Sequence, residues 1–191
     1  MLKSVLVLFL SLSSVAFAGL QEDFEALKSV PRDYTDSGSI CEEVARLRIA
    51  EEYPAPQYTV EVGIAYGNAE RTIGELDIII FDNNLHKAIK LGEVKCWKDA
   101  RGGLKKAQDQ RARFLKNIRS GSGRNLEFVN TATHQRYDAE QFLHVNEFIS
   151  IAQKGTTAVG YDMEMEYSLG EFNALRMKMI KCQQAGECAK P

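Results

Sequence analysis

The 191-residue chain has no internal repeat and no low-complexity tract, which excludes a repeat array. It has no Cys-x-x-Cys pair, and its three histidines, His86, His134 and His144, show no ligand spacing with the cysteines. A zinc centre is therefore disfavoured, and each histidine reads as a solvated loop or strand residue. Beyond residue 18 no second apolar stretch follows, which argues against a membrane protein, and no cysteine follows closely enough to support a lipid anchor.

What is there begins with an export signal. Lys3 supplies a positive start, Val5 to Leu12 an apolar run, and Ala16-Phe17-Ala18 a small-x-small cleavage site before Gly19. Residues 1–18 are thus expected to be a leader, and 19–191 a single domain, exported to the periplasm or secreted and free of the membrane after cleavage. With 45% hydrophobic side chains, the chain can bury one real core. An oxidising compartment favours disulfides among Cys41, Cys96, Cys182 and Cys188. Cys182 and Cys188 enclose five residues, so a local loop is the simplest pairing and leaves Cys41 with Cys96; spacing alone does not decide among the three connectivities.

Along the chain, residues 20–30 read as a short helix or arm ending at Pro31. Asp36-Ser37-Gly38-Ser39 offers N-cap chemistry for a helix over 40–52, stopped by Pro54 and Pro56. Residues 58–66 and 71–81 read as strands joined by a turn at Gly67-Asn68, and 87–97 as a third strand after the Asp82-Asn83-Asn84 turn. Gly102-Gly103 is expected to separate that strand from a helix over 104–119, closed by Gly121-Ser122-Gly123. A loop-rich stretch, an apolar run Phe148-Ile149-Ser150-Ile151-Ala152, a strand near 161–167 and a helix over 169–181 complete the order.

Two of these strands carry charge where core is expected. In Gly74 to Trp97, Glu75, Asp77, Glu93 and Lys95 interrupt runs such as Ile78-Ile79-Ile80-Phe81, and a buried carboxylate is unfavourable without a partner. Side chains two apart share a strand face, so Glu93 and Lys95 point together, and Asp77 comes from the neighbouring strand. A hard divalent cation, Mg²⁺ or Mn²⁺, held by Asp77, Glu93 and the carbonyl of Val94 would supply the compensation. It would also activate water and neutralise charge developing on a phosphate, with Lys95 orienting the water or stabilising that charge. Glu75 shares the face of Asp77, as a rim residue or an aid to a second ion.

A lone Glu-x-Lys occurs about once by chance in a chain of this length; the order of the elements carries the weight. Asp77, fifteen intervening residues, then Glu93-Val94-Lys95, with a Glu-bearing helix before and a basic helix after, resembles the PD-(D/E)xK nuclease superfamily. Cys41-Glu42-Glu43-Val44-Ala45, Gly74-Glu75-Leu76-Asp77 and Glu93-Val94-Lys95 resemble the pattern of its Holliday-junction-resolvase-like branch, with Cys41 where the pattern has Gly. The likeness covers about residues 36–120. It implies an α/β restriction-endonuclease-like core, a mixed β-sheet flanked by helices in the order αβββαβ. It also implies a metal-dependent nuclease hydrolysing phosphodiester bonds of DNA, with Glu42, Asp77, Glu93 and Lys95 as the catalytic set and Glu42 among the metal ligands. Helical spacing favours Glu42 over Glu43, since Glu42 lines up with Ala45, Ile49 and Tyr53.

From Lys95 to Arg124 ten basic residues stand against two acidic ones, although the whole chain carries −2. Lys98, Arg101, Lys105, Lys106, Arg113 and Lys116 are expected to hold the phosphate backbone without sequence specificity. Leu104, Ala107, Phe114, Leu115 and Ile118 form the expected buried stripe, with Arg111 inside it, Gln108 at its edge and Gln110 farther round. Related nucleases place a Gln of this helix near the metal, and both Gln108 and Gln110 remain candidates. Nothing in the sequence reads a 2′-hydroxyl, so RNA stays beside DNA as a substrate. The alternative is a non-catalytic module of the same fold that binds nucleic acid or protein.

Overall fold

The computed structural model describes residues 12–191, with side chains from Gly19 onward. The expected leader therefore lies mostly outside the described residues; only its last part enters, as backbone of the first helix, α1 (Leu12–Leu27). Among the described residues no helix is long and apolar enough to cross a membrane.

After α1 come α2 (Ser39–Glu52), β1 (Tyr58–Asn68), β2 (Arg71–Asp82), β3 (Lys87–Val94) and α3 (Ala100–Ile118). There follow β4 (Glu127–Asn130), β5 (Arg136–Tyr137), β6 (Glu147–Ala152), β7 (Met163–Glu164) and α4 (Leu169–Ala185). All the strands join one mixed seven-stranded sheet in the order β5-β4-β1-β2-β3-β6-β7. The β1-β2-β3 meander is antiparallel, and β6 runs parallel to β3 on its far side. The molecule is thus an α/β protein with helices on both faces of the sheet.

Two apolar clusters account for that layering. On one face Leu27, Ile40, Val44, Ile49, Phe172 and Met179 of α1, α2 and α4 pack on Val62, Ile78, Ile80, Val94 and Ile151. On the other, Phe114 and Ile118 of α3, with Phe128 and Phe142, cover Ile64, Leu76, Ile79, Phe81 and Leu91. Leu76 to Phe81 is buried throughout because this central strand is covered on both sides, which is why Ile78 to Phe81 reads as a continuous apolar run.

Several local expectations are corrected. The β1-β2 turn falls at Ala69-Glu70, where the Oδ1 of Asn68 accepts from the amides of Glu70 and Arg71; Gly67 and Asn68 still belong to the ladder. Gly38 is the N-cap of α2 and no side chain caps it. Gly102 and Gly103 do not break β3 from α3 but lie inside its first turns, because Asp99 accepts from the Gly102 amide at 3.0 Å and starts the helix early. The ladder of β3 stops at Val94, although the Lys95 amide still reaches the Ile151 carbonyl at 2.9 Å. The expected strand over 161–167 shrinks to Met163–Glu164, and the loop-rich stretch contains β4 and β5.

Both disulfides form, Cys41–Cys96 and Cys182–Cys188, and no described cysteine is left free. The first spans 55 residues and ties α2 to the end of β3. In the chain-entropy picture a loop of that length is worth about 4 kcal/mol, against about 2 kcal/mol for the short tail loop.

Candidate active site

The site sits where the sheet changes faces. Residues two apart in a strand normally share a face, yet Val62 and Ile64 belong to opposite clusters, as do Ile78 and Leu76. Val62 pairs with Ile78 and Ile64 with Leu76, so the change of face falls at Gly63 on β1 and Asp77 on β2, with the pairing register unbroken there. Gly63 has φ +69°, a conformation that suits a residue without Cβ. A Cβ there would stand 2.8 Å from Arg32 Nη1, 2.9 Å from Thr131 Oγ1 and 3.1 Å from Glu75 Oε1. Gly63 therefore leaves room for an arginine over the sheet beside Asp77.

Asp77, from the middle of β2, converges with Glu93 and Lys95 at the C-terminal end of β3, and all three are buried, each less than a tenth exposed. Asp77 Oδ2 accepts from the Val94 amide at 2.8 Å and from Lys95 Nζ at 2.6 Å. The same ammonium donates to the Val94 carbonyl at 3.0 Å and to Glu93 Oε2 at 3.3 Å. Glu42 approaches from α2, its Oε2 accepting from Arg32 Nη2 at 2.5 Å. Glu43 turns away and pairs with Arg46 at 2.7 Å. Since Cys41 and Cys96 adjoin Glu42 and Lys95, the longer disulfide fixes the two halves of the site against each other.

The electrostatics show a shortage of positive charge. Four carboxyls, Glu42, Glu75, Asp77 and Glu93, face two cations, Arg32 and Lys95. Burial first, and then the charge of Asp77, pushes Glu42 up to about 8 against the pull of Arg32. The same two causes push Glu93 up to about 9 against the pull of Lys95. Burial works to lower Lys95, but Asp77 and Glu93 outweigh it and hold the ammonium above its ordinary range. Glu75 stands exposed at the rim, yet local desolvation and then Asp77 raise its carboxyl too.

These donors are hard oxygens, and a divalent cation would favour the ionised forms of Glu42 and Glu93, whose protons now make up for the shortage of positive charge. As arranged they are not a ready cage: among the described residues no three acidic, cysteine or histidine side chains converge as metal ligands. The ammonium of Lys95 stands in for a cation, bonded to Asp77, Glu93 and the Val94 carbonyl, the three groups expected to hold a metal.

Because Glu42 and Glu93 keep protons in the folded chain that the unfolded chain releases near 4.5, folding takes up protons. Their contribution to stability is complete below that value and is lost as pH rises through 8 and 9. In EDTA the melting temperature is expected to fall between about pH 6 and about pH 9.5, with Glu93→Gln flattening the fall and Mg²⁺ opposing it at the alkaline end. A wild-type profile no steeper than that of Glu93→Gln would refute the charge shortage.

The helix beyond the site is partly as expected. Lys98, Arg101, Lys105, Lys106, Arg113 and Lys116 are all exposed. On α3 the buried residues are Gly103, Ala107, Phe114 and Ile118, so by helical spacing Lys105 and Lys116 lie on the side away from the sheet, and Lys106 and Arg113 on its flanks. Gln108 is exposed and lines a pocket of about 160 Å³ with Glu93 and Arg111. Arg111 is not inside the buried stripe: it is exposed, with its guanidinium 4.4 Å from the Phe148 ring centroid. Gln110 does not lie farther round; it falls on the sheet-facing stripe, and its Oε1 is buried without a hydrogen-bond partner. Of the two, Gln108 shares a pocket with Glu93.

Arg32 and Gly63 escaped the sequence reading. Arg32 follows Pro31 in a segment without periodicity, ten residues before the Glu42 it pairs with. Gly63 inside an otherwise regular strand pattern was the one usable signal, since an isolated strand glycine marks a bulge or a close approach. Compared with known proteins, the chain matches no family model, no curated protein and no solved structure.

Proposed function

We propose that the protein is an exported, divalent-metal-dependent nuclease that hydrolyses phosphodiester bonds of DNA with little sequence specificity, on a restriction-endonuclease-like core. One observation carries the reading: Asp77, Glu93 and Lys95 meet beside the end of β3 with Glu42 nearby, a cluster with more carboxyl groups than the protein's own cations can neutralise if all ionise. The αβββαβ order, with β6 parallel to β3, supports the core assignment, and the two disulfides suit an exported chain.

In this reading Asp77, Glu93, Glu42 and the carbonyl of Val94 hold the cation. When bound, Mg²⁺ or Mn²⁺ would make a bound water more acidic and would neutralise charge developing on the phosphate. Lys95, kept protonated by its carboxylates, presents a fixed positive charge toward a phosphate oxygen. Arg32 limits the repulsion between Glu42 and Asp77. Gln108 and Arg111 line the pocket beside Glu93, where a strand of substrate can lie. Lys98 and Arg101 stand exposed between β3 and the first turn of α3 to meet its phosphates.

A binding module on the same fold is the second reading. It is favoured by the bonds of Lys95, which already occupy the three groups a metal needs. Incubation with plasmid, linear duplex, single-stranded DNA and RNA in Mg²⁺, Mn²⁺ or EDTA separates the two. Cutting that requires the metal is expected; binding without cutting in any metal selects the module.

A further inference from the structure

Trp97 is the chain's only tryptophan and, with Leu85 and Met177, one of three large apolar side chains exposed among the described residues, at 42%. Leu85 sits in the β2-β3 turn and Met177 on α4, whereas Trp97 follows Lys95 by two residues. The position a Cβ would take on Gly103 is 3.4 Å from Lys95 Cβ and 3.6 Å from Trp97 Cβ, so both side chains leave the chain on the side of α3. The backbone there is pinned: Gln153 Nε2 donates to the Trp97 carbonyl at 2.8 Å. Lys106 Nζ lies 4.4 Å from the centroid of the indole, and Lys98 and Arg101 are exposed nearby in sequence. An exposed indole within a basic segment, two residues from Lys95 and with a lysine over one face, has the make-up of a stacking platform.

We propose that Trp97 stacks on an unpaired nucleobase next to the phosphate bound at Lys95, which makes single-stranded or frayed nucleic acid the preferred substrate over continuous duplex. The inference rests on the nuclease reading of the same site. The faces of a base within a duplex are taken by its neighbours, and exposing one requires unstacking worth a few kcal/mol. A single strand offers that face freely. The lysines and arginines around the ring bind phosphate in either form and do not discriminate.

The sole tryptophan is also the reporter. Glu93→Gln protein is titrated with a short single strand, a duplex of the same length closed by hairpin ends, and an abasic strand, following fluorescence; affinities are read by anisotropy of labelled strands. The single strand is expected to quench the tryptophan, while the closed duplex and the abasic strand bind with little quenching. Trp97→Ala is expected to weaken single-strand binding about tenfold, Trp97→Phe by less, and duplex binding less than about twofold. Binding of the single strand without quenching, equal quenching by the abasic strand, or equal loss on the duplex overturns this inference and leaves the nuclease reading standing. Failure of every form to bind sinks both.

Discussion

Asp77→Asn, Glu93→Gln and Lys95→Ala are each expected to lower metal-dependent cleavage at least about a hundredfold at saturating DNA, since each removes a ligand or a charge that acts on the reacting phosphate. Their effects on stability should differ, which makes the set informative. Glu93 holds its proton at neutral pH, so a neutral glutamine leaves the buried charge balance nearly unchanged and the fold intact. Asp77→Asn keeps an acceptor for the Val94 amide but weakens the hold on Lys95. Lys95→Ala leaves buried carboxylates without their nearest cation, a loss of a few kcal/mol for a broken buried pair. Lys95→Met, which fills the same space without charge, checks whether lost activity merely reports lost fold. Near-native turnover in any two of these proteins, shown folded by melting, would refute the site.

Replacing Lys105, Arg113 and Lys116 together by Ala should weaken DNA binding on the order of a hundredfold at 0.1 M salt, equally for unrelated sequences. The salt dependence should flatten by about 0.9 in log-log slope for each phosphate no longer neutralised. Cleavage should fall through poorer binding, and high DNA concentration should partly restore it. The measurement is decisive because Lys105 and Lys116 project from the side of α3 away from the sheet and Arg113 from its flank, all exposed, where a merely solvated face is the plain alternative. An unchanged slope would show that DNA does not cross that face and would confine phosphate binding to Lys98, Arg101 and Arg111 near the site.

Local chemistry made much of this readable. Alternation and turn residues placed β1, β2 and β3 to within a few positions, because a half-buried strand must repeat every second residue. Buried charge at Asp77, Glu93 and Lys95 pointed to one end of that meander, since adjacent strands and shared faces follow from the backbone alone. Four cysteines in a chain whose first residues read as an export leader made two disulfides the natural expectation. Elements as short as Glu127–Asn130 and Arg136–Tyr137 escaped, because two to four residues hold no usable period.

The sequence by itself therefore determined which charged residues interrupt the core strands and the order of the longer elements that bear them. Tertiary structure alone decided that β6 lies parallel to β3, that the strands change faces at Gly63 and Asp77, that Arg32 holds Glu42, and that Gln110 turns inward while Gln108 shares a pocket with Glu93. It also decided that the Lys95 ammonium takes the place between the carboxylates. Local sequence sets only the faces and ends of single elements; which of them touch depends on packing between residues far apart in the chain, and burial is what turns that packing into shifted charge.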